Sequence, residues 1–384
     1  MIKTGFSAGF FLRQEQGFSI FVTILLKTST MDFPFAFDKI AAGGSIIGRN
    51  REIGEIVAAM ETGNRSIAIY GGARCGKETI VREALEQVRS HRPNLIVCDI
   101  DLFNVRTLDD FTALWRDKMR ECALEVNRDA LLPFEICIDE ISGNKIFDLP
   151  GIIANEASKQ MVVYFKEFQN LLRFEDEQFG LEALDRLWSR QHHVKYIFTG
   201  SFVNAMKNIF EERKCFYGMC RTLDLPPLDK KMLCEHIRSS FLNVGRVIEM
   251  EEALALYDIS SGDMWYLKQL CAFCYAMPAG YVNRKIVNRA RDTLLSIHEP
   301  RFKQILFDLT GNQINLLHAV VDGVQKFTSA ETLENYRLNS SAGVVRVKEA
   351  LQKKEVLTFD RDDNARIIDP LFEYWLRNYY FVQQ

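Results

Sequence analysis

Along the first 230 residues the chain alternates between two hydrophobic periods. Short apolar runs recur at 66–70, 95–100, 160–165, 194–198 and 221–225. Between them the apolar positions fall three and four apart, as at Ile53, Ile56, Val57 and Met60, then over 79–88 and 108–124. Runs of that length predict strands, and the longer spacing predicts helices. Strands apolar on both faces and separated by helices belong to a parallel sheet covered on both sides. The runs stop at Pro226-Pro227. From there 229–297 reads as helical, and 301–384 as three helices followed by two short strands near 356–359 and 365–368. Asp360-Arg361-Asp362-Asp363-Asn364 supplies the turn between those strands, which together predict a winged helix.

One stretch resists this reading. Ile136-Cys137-Ile138-Asp139-Glu140 is an apolar run ending in two carboxylates, the pattern that holds magnesium in phosphate-transfer enzymes. Pro133, Glu135 and the Ser142-Gly143-Asn144 turn argue against a buried central strand there. The better strand is 160–165, followed by Lys166-Glu167-Phe168-Gln169.

Composition narrows the class. With 384 residues, 47% apolar and 26% charged, the chain has room for two or three globular domains. A net charge of −3 gives no overall attraction for nucleic acid, so such binding would need a local basic patch. Of nine cysteines only Cys271 and Cys274 are spaced C-x-x-C, with no second pair to complete a metal site; they read as reduced core residues of a cytoplasmic protein. His192 and His193 lack a third ligand and read as surface. The apolar stretch 18–26 is shorter than the ~20 residues of a membrane span and has no small-x-small cleavage site before Met31. Residues 1–30 therefore read as an extension or a mis-assigned start, with fold-like sequence from Met31-Asp32-Phe33-Pro34 and no membrane association expected.

The chemistry concentrates after the first run. Gly71-Gly72-Ala73-Arg74-Cys75-Gly76-Lys77-Glu78-Thr79 joins a strand to a helix with the spacing Gly, four residues, Gly, Lys. In such a loop the backbone N–H groups wrap a phosphate chain and the lysine reaches its terminal phosphates. The hydroxyl that ordinarily follows the lysine and ligates magnesium is Glu78 here. Thr79 points about 100° away on a helix and cannot replace it.

In the order of its motifs the chain resembles the archaeal-type ATPases within the signal-transducing ATPases with numerous domains (STAND), a branch of the AAA+ group. The resemblance runs from Phe33 to Phe381. It rests on Ile47-Gly48-Arg49, the Gly71 to Lys77 loop, Glu167-Phe168-Gln169, Gly200-Ser201 and Asp369-Pro370-Leu371-Phe372-Glu373-Tyr374-Trp375-Leu376. It implies a P-loop NTPase domain at 31–228 with a five-stranded parallel sheet in the order 5-1-4-3-2. A helical lid at 229–298 and a winged-helix domain at 299–384 follow. It also implies ATP or ADP as ligand, with Glu167 orienting the attacking water. The family's strand-terminal aspartate is Lys166 in this chain, so both protein groups expected to hold magnesium are replaced, and with opposite charges. Pairing of Glu78 with Lys166 is the expectation, and the need for magnesium stays open. Gly262-Asp263-Met264 stands where many members carry glycine-x-proline near the adenine.

Three functions remain open. The first is a nucleotide-responsive switch acting on a protein partner, with weak or no hydrolysis. The second is an active ATPase. The third is a DNA-binding regulator using the winged helix, in which Arg346, Lys348, Lys353 and Lys354 are interleaved with Glu349 and Glu355.

Overall fold

The computed structural model describes residues 43–61, 66–129, 143–175, 179–360 and 362–383, with positions 35, 41 and 138. The expectations for residues 1–30, for the start at 31–34 and for Ile136, Cys137, Asp139 and Glu140 lie outside the described residues. Ile138 is buried, and its carbonyl accepts a hydrogen bond from Arg116 Nη1 at 2.6 Å. The chain forms two compact units, Ala41–Pro226 and one built on Pro227–Gln384.

In the first unit the five apolar runs become β1 (Ser66–Tyr70), β2 (Ile96–Asp101), β3 (Met161–Lys166), β4 (Val194–Gly200) and β5 (Cys220–Asp224). All neighbours pair in parallel, in the order β2-β3-β4-β1-β5. That is the expected 5-1-4-3-2 seen from the other edge. Interior places suit these sequences, for all of β1 and all but the last residue of β3 are buried. The run at 95–100 departs from the expectation of a fully buried strand. As the edge strand β2 it alternates, with Ile96, Cys98 and Ile100 buried and Asp99 and Asp101 exposed.

Alternation along the strands divides two chemically different cores. On one face Ile67, Ile69, Val162, Tyr164 and Ile197 meet Ile53, Ile56 and Met60 of α1 (Asn50–Glu61) and Ile80, Val81, Ala84 and Val88 of α2 (Lys77–His91). The other face is aromatic. Trp115 of α3 (Leu108–Asp129) stacks on Phe165 at 5.8 Å between ring centroids and on Trp188 at 5.7 Å, and Trp188 stacks on Tyr196 at 4.7 Å. Such rings bury large areas, provided that their polar handles are satisfied. Trp115 Nε1 donates to the Ile146 carbonyl at 2.8 Å and Trp188 Nε1 to the Phe147 carbonyl at 3.2 Å. Since Phe165 faces the aromatic side, its neighbours Tyr164 and Lys166 face α2, which brings Lys166 to the start of that helix.

Two short helices, α4 (Leu149–Glu156) and α5 (Leu181–Trp188), and the five-residue α6 (Val203–Lys207) are the remaining α-helices among the described residues of this unit. The second unit begins with α7 (Lys230–Asn243), α8 (Met250–Ser260), α9 (Met264–Ala276) and α10 (Arg284–Phe307), the last running unbroken through Pro300. Two-residue parallel strands, β6 (Val247–Ile248) and β7 (Tyr281–Val282), tie the loops before α8 and α10. Cys271 and Cys274 are buried within α9, as are Tyr266 and Leu267. Then follow α11 (Gly311–Val321), α12 (Ala330–Asn335), α13 (Ser341–Lys353), the antiparallel pair β8 (Leu357–Phe359) and β9 (Ala365–Ile367), and α14 (Pro370–Trp375). This is the three-helix, two-strand order of a winged helix. At the turn between the strands, Asp360 Oδ1 accepts from the amides of Asp362 and Asn364, both at 2.9 Å. Asp369 links the ends of the unit: it caps α14 through Leu371 N and Phe372 N while accepting from the Tyr266 hydroxyl and from Arg301.

Candidate functional site

The loop from Gly71 to Gly76 leaves β1 in the interior of the sheet and delivers the chain into α2. Gly71 is needed for close packing, since a Cβ there would lie 2.9 Å from Cys75 Sγ. Gly76 is needed for conformation, because its φ of +96° is one that side chains rarely adopt. Lys77 is 8% exposed, and its Nζ donates to the carbonyls of Gly71 and Gly72, both at 2.8 Å. No side chain caps the N-terminus of α2. The first amides of a helix have no partner within it and carry partial positive charge, so a strand-to-helix loop of this shape fits an anion such as a phosphate chain. Ala73 and Arg74 are exposed at the loop's tip, and Thr79 lies partly buried two residues into α2.

Glu78 and Lys166 come together, as the opposite charges of the two replacements imply. Lys166 Nζ lies 3.0 Å from Glu78 Oε1. It also lies 2.9 Å from Asp99 Oδ2, and Arg82 binds Glu78 Oε1 through Nη2 at 2.7 Å and Nε at 3.0 Å. Burial alone would raise the Glu78 pKa, but the hydrogen bonds from Lys166 and Arg82 outweigh it and hold the carboxyl below its ordinary value. Burial would likewise lower Lys166, yet the bonds to Asp99 and Glu78 hold it above the usual lysine range. Two carboxylates and two cations make up the cluster, so its formal charges cancel.

This arrangement does not fit magnesium. The ion demands oxygen ligands in near-octahedral geometry. Here an ammonium stands between the two carboxylates, and the nearer Glu78 oxygen already receives three N–H donors. Among the described residues no group of three or more His, Cys, Asp or Glu side chains is arranged to hold a metal.

Glu167 follows Lys166 at a positive φ of 53°, which turns its carboxylate away from the strand direction. Its Oε2 accepts from Ser201 Oγ at 2.5 Å, Ser201 N at 3.3 Å and Gln169 Nε2 at 2.7 Å. Gly200 makes this possible by letting Gln169 pack against bare backbone; a Cβ there would sit 2.4 Å from Gln169 Oε1. The structure therefore gathers Lys77, Glu78 and Thr79 at the start of α2, with Lys166 beside Glu78, and holds Glu167 against Ser201.

Sequence reasoning missed Asp99 and Arg82. Arg82 was findable, because it stands four residues after Glu78 on one helix face. Asp99 was not, since its place beside Lys166 depends on the β2–β3 register, in which Asp101 pairs with Lys166 and Asp99 with Tyr164. In the second unit His298 packs edge-on to Trp265 and Tyr266, and Asp263 caps α9 through the amides of Trp265 and Tyr266. His192 and His193 are exposed.

Residues 300–378 match a family model described as a probable winged helix domain. No curated protein matches the chain by sequence. Among solved structures the chain is similar to the Walker-type ATPase of Pyrococcus abyssi, with a TM-score of 0.67 and 17% identity over 90% of this chain and 99% of that one. It is also similar to the ORC2 protein of Aeropyrum pernix, solved in ADPNP–ADP complexes, with a TM-score of 0.57 and 12% identity over 91% and 98%. The ADP form of the same ORC2 protein gives 0.53 at 12% identity over 87% and 93%. Among the described residues no helix is long and apolar enough to cross a membrane. The parallel order β2-β3-β4-β1-β5, the glycine-lysine loop after β1 and the C-terminal winged helix together give this chain the fold of the AAA+ P-loop ATPases.

Proposed function

We propose that the chain is a nucleotide-responsive switch: ATP or ADP bound at Gly71, Gly72, Ala73, Arg74, Cys75, Gly76, Lys77, Glu78 and Thr79 sets the state that a protein partner reads. The observation that carries this reading is the buried Lys77, anchored on two loop carbonyls at an uncapped helix start. The Aeropyrum pernix ORC2 complexes with ADPNP and ADP support it. We further propose the division into a nucleotide domain at 31–228, a helical lid at 229–298 and a winged-helix domain at 299–384. Hydrolysis is weak or absent in this account. Catalysis of phosphoryl transfer depends on neutralising developing charge, and Lys166 is neutralised by its own carboxylates. Glu167 would orient water only after releasing Ser201.

Hydrogen exchange with and without nucleotide tests the switch. The account expects added protection at 71–79 and, through the fold, at positions outside the first unit, with both changes lost in Lys77→Ala. Protection confined to the loop would refute a switch, and rapid turnover of ATP would favour an active ATPase. A second reading, nucleic-acid contact by the winged helix, is favoured by exposed Arg346 and Lys353 on α13. It is weakened by Lys348, which pairs with Asp363 at 3.1 Å and lies over the Phe359 ring. Binding to duplex DNA with a strong salt dependence would support it.

A further inference from the structure

We infer that the loop takes a nucleoside diphosphate without a metal ion and discriminates against the triphosphate. The inference rests on the nucleotide reading above and comes from the ion cluster beside the loop. In an ordinary site of this kind a hydroxyl and a strand-terminal carboxylate hold a divalent cation, which leaves net positive charge for the outer phosphates. Here Lys166 and Arg82 are balanced by Glu78 and Asp99, so the same place carries no net charge.

Position matters as much as sum. Glu78 is the second residue of α2, directly after the lysine, so its carboxylate takes the place of the hydroxyl that in such loops holds the ion for the outer phosphates. It also complements the helix N-terminus that a phosphate would otherwise use. Lys166 cannot turn toward a phosphate without leaving two carboxylates behind it, both now within 3.0 Å of its nitrogen. A diphosphate needs only the loop amides and Lys77. A third phosphate adds charge on the side lined by Glu78 and Asp99, where Lys166 and Arg82 are already held by those carboxylates. The register of β2 on β3 builds this feature into the sheet itself.

Calorimetric titration of the full chain with ADP and with ATP, each in EDTA and in excess MgCl2, tests the inference. The expected result is an ADP Kd unchanged within about twofold by magnesium and an ATP Kd at least tenfold weaker in EDTA, as repulsion from close like charges requires. The double variant Glu78→Thr with Lys166→Asp, checked for native circular dichroism, should acquire magnesium-dependent ATP binding. ATP binding as tight as ADP in EDTA, or ADP binding strengthened tenfold by magnesium, would overturn the inference while leaving nucleotide binding intact. A double variant with unchanged preferences would overturn the assignment to this cluster. Binding of neither nucleotide would overturn the parent reading, and this inference with it.

Discussion

Replacing Lys166 by Met removes the one ammonium shared by Glu78 and Asp99 while keeping an apolar stem near Tyr164. Both carboxylates lie within 3.0 Å of that nitrogen, so their nearest oxygens stand no more than about 6 Å apart once it is gone. Coulomb's law puts the repulsion of two charges at that separation at about 0.7 kcal/mol in water and about 3 kcal/mol at an effective dielectric of about 20. The side chains are 17% exposed for Lys166, 35% for Glu78 and 43% for Asp99, between the surface and buried cases. Surface pairs are worth up to about 1 kcal/mol, and breaking a buried one costs about 3–5 kcal/mol. A loss of about 1–3 kcal/mol follows. Arg82 remains on Glu78, so the loss concentrates on Asp99. Adding Asp99→Asn to Lys166→Met should recover most of it, which a simple loss of packing would not allow. Urea unfolding, read locally by hydrogen exchange of the β2–β3 amides, measures both. A Lys166→Met protein within 0.3 kcal/mol of wild type, or one that Asp99→Asn fails to rescue, would refute the reasoning.

Lys77→Ala should weaken nucleotide binding by about 1.5–3 kcal/mol, the value of a charge-assisted hydrogen bond, measured by calorimetry. Glu78 has a lowered folded pKa, so its contribution to stability is present above the ordinary carboxyl value and is lost as pH falls through the lowered one. Lys166 is raised, so its contribution is complete below the ordinary lysine value and is lost only as pH rises through the raised one. The stability gap between wild type and Glu78→Gln should therefore stay flat from about pH 6 to 9 and close below about pH 4 in a pH series of urea midpoints. Gly200→Ala should cost about 1–3 kcal/mol by overpacking against Gln169 and Met206, read from the urea midpoint. Asp369→Ala should lower the stability of the second unit by about 2 kcal/mol, since it removes the α14 cap and the acceptor for Tyr266 and Arg301, read by hydrogen exchange within α14.

Much of the fold was legible because two periods separate cleanly along this chain. Runs such as Ile67-Ala68-Ile69 can only be interior strand, and the spacing of Ile80, Ala84 and Val88 can only be one helix face. Strand order was a different matter, for nothing local in 66–70 says that β4 and β5 flank it; the order came with the family resemblance. Edge position is equally non-local, which is why Asp99 passed as part of a buried run over 95–100. At the site, Glu78 was visible because it breaks a spacing whose chemistry is known. Its pairing with Lys166 followed from opposite signs. The third and fourth members did not follow, because Asp99 reaches Lys166 only through strand register and the Glu78–Arg82 bond looks like any surface pair on a helix. Glu167 was visible as a residue, but its bonds to Ser201 and Gln169 depend on how β3 and β4 end side by side.

The most direct test of the account is a crystal structure of the chain grown with ADP and manganese, with the ion located by its anomalous scattering. The account predicts the diphosphate on the amides of the Gly71 to Lys77 loop, Lys166 Nζ still between Glu78 and Asp99, and no manganese bound to either carboxylate. A manganese peak ligated by Glu78 or Asp99, with Lys166 displaced from between them, would contradict it.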